Sequence, residues 1–500
     1  MLMAHDLGTT GNKASLHDDS GRMVTATTVG YDTRFARGGV AEQAPEDWWR
    51  AVREATRHLL AETSTRPGDV AAVSFSGQMM GAVFLDEHLE PVRPAMIWAD
   101  HRSADQCQRL IDGVGMEAGY RLTGHRLNPT YSLSKVMWVR DHEPEVFGRV
   151  RHLCLAKDFV VQRLTGVLAT DPSDASSTNA YDQMAGVWAD PLLEVAGIDR
   201  GLLPEIVPSV TVVGGLLPEA AAATGLRAGT PVVMGGGDGP LAAVGAGVVS
   251  PEAGAYVYLG SSSWVSVAAD RPLYDPDMRT MTFDHVVPGL FVPTATMQAG
   301  GGSLHWVTDL LAPGDDGDRF RRLVAAAATA QGAEDDLYFL PHLLGERSPY
   351  WNPAAKGAFV GLSRHHGPEH LTRAVLEGVA FNLATCVEAF RACGARIDRV
   401  DAIGGGAASD TWLQILADVW GATVRRRSIV EEANSLGAAV TAGVGVGVLP
   451  GFDVAPTLSE VTAEFHPDPA RHALLRDRHA VFLDAYARLE PWFERTRGPA

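Results

Sequence analysis

The sequence predicts an α/β chain of two domains built on a duplicated nucleotide-binding plan, and three observations lead there. The opening apolar run ends in Asp6-Leu7-Gly8-Thr9-Thr10-Gly11-Asn12-Lys13, and a segment of the same design returns at Tyr256-Val257-Tyr258-Leu259-Gly260-Ser261-Ser262-Ser263-Trp264. In each, a strand gives way to Gly and small hydroxyl residues, which fold into a tight turn that gathers backbone N–H groups and hydroxyls around a phosphate. Short apolar runs, turns and helical stretches alternate along the chain, as they do in α/β proteins. Finally, 500 residues exceed what one hydrophobic core serves, so two domains of roughly 200 to 250 residues are expected. The break is placed after Val249, giving units 1–249 and 250–500.

Taken in order, the first strand and turn lead to a helix opened by Ala44-Pro45-Glu46-Asp47-Trp48-Trp49. Its early Pro and acidic first turn suit a helix N-terminus. Val70 to Ser74 reads as a buried strand that ends at Gly77-Gln78-Met79-Met80-Gly81, and residues 101–230 read as helices and loops that cap the first core. Pro231-Val232-Val233-Met234 is a strand running into Gly235-Gly236-Gly237-Asp238-Gly239, with a small-residue helix after it. In the second half, Gly300-Gly301-Gly302-Ser303 and Ile403-Gly404-Gly405-Gly406-Ala407 each precede a helix, where anions and nucleotides are held. The stretch after Leu449 is helical and charged.

With 42 basic against 60 acidic residues, the net charge of −18 offers no basic stripe for nucleic acid. Phosphate binding must therefore be local. Cys107, Cys154, Cys386 and Cys393 are scattered without metal or disulfide spacing, which points to a reducing cytoplasm. The start of the chain shows no secretory pattern, and its most apolar window, Pro231 to Val249, carries Asp238, so no membrane segment is expected. Neither G-x-x-x-x-G-K-[ST] nor a strand followed by G-x-G-x-x-G occurs.

Asp238, flanked by glycines at a strand end, is the candidate general base: ligands can approach it closely, and it can take the proton of an attacking hydroxyl. The alternative is an Asp that caps the following helix. Asp6 at a strand end suits hydrated Mg²⁺, and Lys13 adds positive charge toward phosphoryl oxygens. Trp98, Asp100 and Arg102 join an aromatic face to hydrogen-bonding groups, as a polyol site requires, or else form a surface turn. Gln78, Met79 and Met80 follow a strand and line a site or fill a core. Gly345 to Pro353 reads as an ordered loop in which Glu346 and Arg347 pair.

Taken together, these motifs resemble those of the FGGY carbohydrate kinases, a branch of the actin/hexokinase-like ATPases, and most of all its xylulokinase branch. The likeness runs to about Val448 and includes Glu42 to Trp49, Ser76 to Gly81, Lys135 to Trp138, Gly235 to Asp238, Gly345 to Pro349, and Gly357 to Leu362 leading to Leu376-Glu377. It implies an α/β fold of two ribonuclease-H-like domains flanking a central cleft, with ATP and Mg²⁺ as cofactors. By resemblance, Asp6, Thr9, Thr10 and Lys13 form the first phosphate site, with Asp6 reaching the metal through water, and Asp238 is the base. Gly260, Ser261, Ser262, Gly301 and Gly302 form the second phosphate site, Gly405, Gly406 and Ala407 hold the adenosine, and Asp410 lies near the adenine. Gln78, Met79, Met80, Trp98, Asp100 and Asp238 line the sugar site.

The implied reaction is ATP-dependent phosphorylation of a sugar or polyol at a primary hydroxyl, D-xylulose first. Ribulose, L-xylulose, a deoxy-ketose or an erythritol-like polyol are the alternatives, as is an actin-like ATPase without an acceptor. The partners expected are the small sugar and ATP or ADP, with a homodimer left open and neither nucleic acid nor membrane involved. Two positions depart from the pattern of D-xylulose kinases: Met80 stands where a His is usual, and Gly239 where an amide commonly follows the base. Both remove hydrogen-bonding capacity near the sugar and predict a wider acceptor range.

Overall fold

The computed structural model describes residues 1–314, 318–330, 336–428 and 432–496. Two mixed sheets organise it. The first contains β1 (Leu2–Leu7), β2 (Gly11–His17), β3 (Met23–Gly30), β4 (Ala72–Gly77), β5 (Val212–Gly215) and β6 (Pro231–Gly237), in the order β5-β6-β4-β1-β2-β3. The second contains β7 (Ala255–Leu259), β8 (Ser263–Val267), β9 (Met281–Asp284), β10 (Phe291–Met297), β11 (Arg399–Ile403), β12 (Thr423–Arg427) and β13 (Val461–Phe465), in the order β9-β10-β8-β7-β11-β12-β13.

The two sheets repeat one plan. From β1 an antiparallel meander leads through β2 to β3, while β4 and then β6 add in parallel on the other side. From β7 the antiparallel neighbours are β8 and β10, while β11 and then β12 add in parallel. The duplication expected from the paired turns is thus a duplication of topology. The turns after β1 and β7 occupy equivalent places, and the carboxyl ends of the parallel strands open toward the cleft, where α/β sheets bind ligands.

The helices follow from their sequences. In α1 (Pro45–Thr63), Pro45 fills the first turn with Glu46 and Asp47, and Trp48, Ala51, Val52, Ala55 and Leu59 turn one buried face to the first sheet. Residues between β4 and β6, including α2 (Ser132–His142), supply a separate apolar cluster of Phe84, Leu110, Met137, Trp188 and Leu192, while α3 (Ala156–Thr165) packs Phe159, Val160 and Val161 into the core of the first sheet. The separate cluster caps the first core, as expected. In the second domain α6 (Pro368–Ala392) is buried for most of its length, and α7 (Asp410–Trp420) and α9 (Pro469–Arg495) pack beside it.

The join between the domains is less simple than a break after Val249. Helix α4 (Asp238–Gly245) leaves the end of β6, and α8 (Ala433–Gly445), from the far end of the chain, packs against it and against β1 and β4. Leu2, Ala4, Ala72, Val233 and Leu241 share one apolar cluster with Leu436, Val440, Ala442 and Phe452. A helix from the second half therefore completes the core of the first sheet. Two glycines allow the approach: a Cβ on Gly245 would lie 1.9 Å from the Ala433 carbonyl oxygen, and one on Gly437 would lie 2.1 Å from that of Leu241.

Because the obstructing atom is backbone, Gly245→Ala must push the two helices apart. Overpacking of this kind costs ~1–3 kcal/mol, so the variant should melt several degrees lower in calorimetry, with the same fold by circular dichroism. An unchanged melting temperature would mean that the helices are not held this closely.

Candidate active site

The catalytic strand end is built from glycine for a steric reason. The ladder between β6 and β4 shifts between Val233 and Gly236, and Gly235 takes φ 73° with its Cα so close to Phe75 that a Cβ would lie 2.0 Å from the Phe75 oxygen. A Cβ on Gly236 would meet Ser173 Oγ at 2.7 Å, and one on Gly237 would meet the Met79 thioether at 2.6 Å. The strand thus carries Asp238 to the first position of α4. There its Oδ1 accepts from the Gly239 N–H at 2.8 Å, but the cap position is Gly237 and no side chain caps the helix, so Asp238 is not the helix cap of the alternative reading. Behind it, Gly237 N–H donates to Ser173 Oγ at 2.9 Å, Ser173 donates to Asp171 at 2.6 Å, and Lys157 lies 3.2 Å from Asp171.

Burial, and then the nearby Asp6 carboxylate, push the Asp238 pKa up to about 7 against the opposing pull of Gly239 N–H and Arg347. Asp6 ends β1, opposite Ser76 of β4 and Lys13 of β2. Its carboxylate accepts from Ser76 Oγ at 2.7 Å and from Asn434 Nδ2 at 3.4 Å, and burial raises its pKa despite these partners and Lys13. Asn434 begins α8, so the second half of the chain reaches into the first phosphate site; the sequence reading missed it.

The first turn is closed by Gly8 N–H donating to Gly11 O at 3.0 Å. Thr10 is exposed beside it, and the Thr9 carbonyl accepts from Gln43 Nε2 at 2.6 Å. Gln43 also accepts from Trp48 and from Gln78, which places Gln78 behind the turn as a brace rather than on a sugar. Thr9 Oγ1 accepts from Trp98 Nε1 at 2.9 Å, and this bond joins the first turn to the apolar cluster around Trp98. Gln43 lay in a motif already quoted, but a single sequence gave no sign of its four-way bonding.

Beside this turn, Met79, Met80, Tyr131, Met281 and Phe283 pack into one apolar cluster with Trp98 and Trp351, so both halves of the chain contribute to it. Met80 sits at φ 64°, a conformation that residues with side chains seldom adopt. Its N–H donates to Ser177 Oγ at 3.1 Å and its carbonyl accepts from the buried Lys135 ammonium at 3.2 Å. Asp100 differs from the expectation of a sugar ligand. It is fully buried, and its oxygens accept from Arg102 and from the Ala41 N–H, so it fixes the loop that carries Trp98.

Across the cleft, Gly260 N–H donates to Ser262 O at 3.1 Å to close the second turn. Gly301 and Gly302, expected to present free N–H groups to phosphate, instead donate to Gly260 O at 2.7 Å and Ser261 O at 3.0 Å. The start of α5 (Gly301–Leu311) is zipped to the turn because both lack side chains there; a Cβ on Gly301 would lie 2.5 Å from Gly260 O. Gly405 is exposed with no neighbouring heavy atom within 4 Å of its would-be Cβ, and Gly406 and Ala407 pack inward. Asp410 is exposed at the start of α7 and pairs with Arg426 at 2.6 Å. Glu346 and Arg347 do not pair through their side chains. The Glu346 carboxylate accepts from the N–H groups of Gln298 and of Arg347 itself and from Asn382, and lies 3.1 Å from His342.

Residues 1–245 match the model of the N-terminal domain of the FGGY family of carbohydrate kinases, and residues 255–446 match that of its C-terminal domain. Xylulose kinase of Escherichia coli (strain K12) is 35% identical over 493 residues, 98% of this chain and 99% of that one. Gluconokinase of Bacillus subtilis (strain 168) is 29% identical, with 98% and 96% covered. The crystal structure of xylulose kinase from Rhodospirillum rubrum superposes with a TM-score of 0.91 at 31% identity, covering 98% of this chain and 99% of that one.

A base with a pKa of about 7 gives kcat/KM an acid limb near neutrality, and Asp238→Asn should lower kcat by at least ~10²-fold and abolish the limb. The same variant should be more stable than the wild type without ligands at pH 8. The folded-state pKa is raised, so the stability tied to Asp238 is present in full below about pH 4 and is lost as pH rises through about 7. Above that, the buried charge is a burden that the amide lacks. Near-normal turnover, or a lower melting temperature at pH 8, would remove Asp238 from this role.

Proposed function

The chain belongs to the FGGY family of carbohydrate kinases, and on that premise we propose that it transfers the terminal phosphoryl group of ATP to a primary hydroxyl of D-xylulose. The observation that carries the reading is Asp238: a half-buried carboxylate whose pKa is pushed up to about 7, near the Asp6 turn and an apolar cluster that is tied to that turn through Trp98. The pocket walls pack the carbon face of a small polyol, and Asp238 takes the proton from its reacting hydroxyl. Thr9, Thr10 and Lys13 on one side, and the Gly260-Ser261-Ser262 turn on the other, face the phosphates. Gly405, Gly406 and Ala407, with Asp410 beside them, take the adenosine.

Two half-buried carboxylates, the charge of Asp6 raising the cost of ionising Asp238, are a donor set suited to a divalent cation. Asp6 would hold Mg²⁺ through water. When bound, the cation offsets phosphate charge; the chain's own groups position the hydroxyl, exclude water and accept its proton.

The walls around Met80 offer a thioether where a ring that donates and accepts would discriminate between hydroxyl patterns. Wild type assayed with ATP and D-xylulose, D-ribulose, L-xylulose, a 1-deoxy-ketose, erythritol and gluconate should release ADP only with an acceptor, only with Mg²⁺, and fastest with D-xylulose. The 1-deoxy-ketose should be tolerated comparatively well. Met80→His, feasible because His accepts a left-handed backbone better than most residues, should narrow the range toward D-xylulose. ADP release at the same rate without any acceptor would replace this reading with that of an ATPase.

A further inference from the structure

Arg347 is a half-buried cation with no anionic partner among the described residues. Its Nε is sealed from solvent without an acceptor, and among the described residues its guanidinium makes no ion pair or side-chain hydrogen bond. The neighbouring Glu346 does not serve it, since that carboxylate is bound to Gln298, Asn382 and His342 on the second domain's side. Nor is the loop loosely held: Ser348 N–H donates to Thr296 O of β10 at 3.0 Å, and Glu346 N–H to Asn352 O at 2.9 Å. The side chain is presented across the cleft, 5.7 Å above the Trp98 ring, and its field is felt at Asp238.

A guanidinium whose Nε is sealed from water without an acceptor carries a cost that an arriving anion would offset. The free acceptor is a neutral polyol. What becomes anionic beside Asp238 is the oxygen to which phosphoryl is added. Trp98 donates to Thr9 of the phosphate turn while Arg347 covers its face, so the guanidinium stands where acceptor pocket and phosphate turn meet.

We propose that Arg347, supplied by the second domain over Trp98, is a catalytic residue that binds the oxygens of the phosphoryl group during transfer and in the sugar-phosphate product. The inference rests on the kinase reading above. In the step, the acceptor oxygen bonds to the γ-phosphorus and the bond from that phosphorus to the β,γ-bridging oxygen breaks. The electron pair leaves on ADP, and the hydroxyl proton goes to Asp238. Arg347 exchanges no proton; its bonds strengthen as charge shifts onto the transferring oxygens, which lowers the barrier rather than the acceptor KM.

The test uses full-length wild type, Arg347→Gln, Arg347→Lys and Arg347→Ala, each checked for an unchanged melting temperature. Arg347→Gln should lose ~10²–10³-fold in kcat, with KM for D-xylulose and ATP within about threefold of wild type. Arg347→Lys should recover part of the loss, and guanidinium chloride, unlike sodium chloride, should revive Arg347→Ala. By calorimetry, Arg347→Gln should bind D-xylulose as wild type does but D-xylulose 5-phosphate at least tenfold more weakly. A raised D-xylulose KM with unchanged kcat, equal binding of the sugar phosphate by both proteins, or equally dead Lys and Ala variants without rescue would overturn the assignment. Failure of wild type to phosphorylate any acceptor would instead overturn the function proposed above, and the sugar-phosphate binding comparison would still decide the role of Arg347.

Discussion

The structure is organised around two carboxylates set close enough that the charge of Asp6 opposes the ionisation of Asp238. Asp6 lies at the end of the first strand of the first sheet and Asp238 begins the helix after its last parallel strand, and both are half-buried. Desolvation raises the cost of ionising either one. Lys13 from β2 acts against that cost at Asp6, and Arg347 from the second half of the chain acts against it at Asp238.

Support for that arrangement runs deep into the first domain. Lys157, fully buried at the start of α3, lies 2.8, 3.2 and 3.3 Å from Asp158, Asp171 and Asp174. Burial works against its charge, but the three carboxylates outweigh it and hold its pKa above the ordinary lysine value. Through Asp171 and Ser173 this cluster reaches the Gly237 N–H, one residue before the base. On the other side, Tyr256 of β7 donates to the Gly239 carbonyl at 2.9 Å and accepts from Trp264 at 2.9 Å. The Gly237–Gly239 segment that carries Asp238 is therefore held from both sheets.

The two halves meet in two places. One apolar cluster takes Met79, Met80, Trp98 and Tyr131 from the first half and Met281, Phe283 and Trp351 from the second. The glycine-mediated contact of α4 with α8 joins them again. No described helix is long and apolar enough to cross a membrane.

By itself the sequence determined the parts whose chemistry is local. A strand that must turn at once around a phosphate needs Gly and small hydroxyls, so Asp6 to Lys13 and Gly260 to Ser262 were legible, as was Asp238 after three glycines. Their ordered spacing carried the two-domain plan and the family resemblance. Tertiary structure decided everything that depends on which distant segment arrives. It gave the Gly301 and Gly302 N–H groups to the second turn, turned Gln78 to Gln43, and committed Asp100 to the Ala41 N–H. It also brought Asn434 to Asp6 and set Arg347 over Trp98 instead of against Glu346. These outcomes rest on contacts between residues tens to hundreds of positions apart, and hydrogen-bonding groups of one kind are interchangeable until the fold fixes their neighbours.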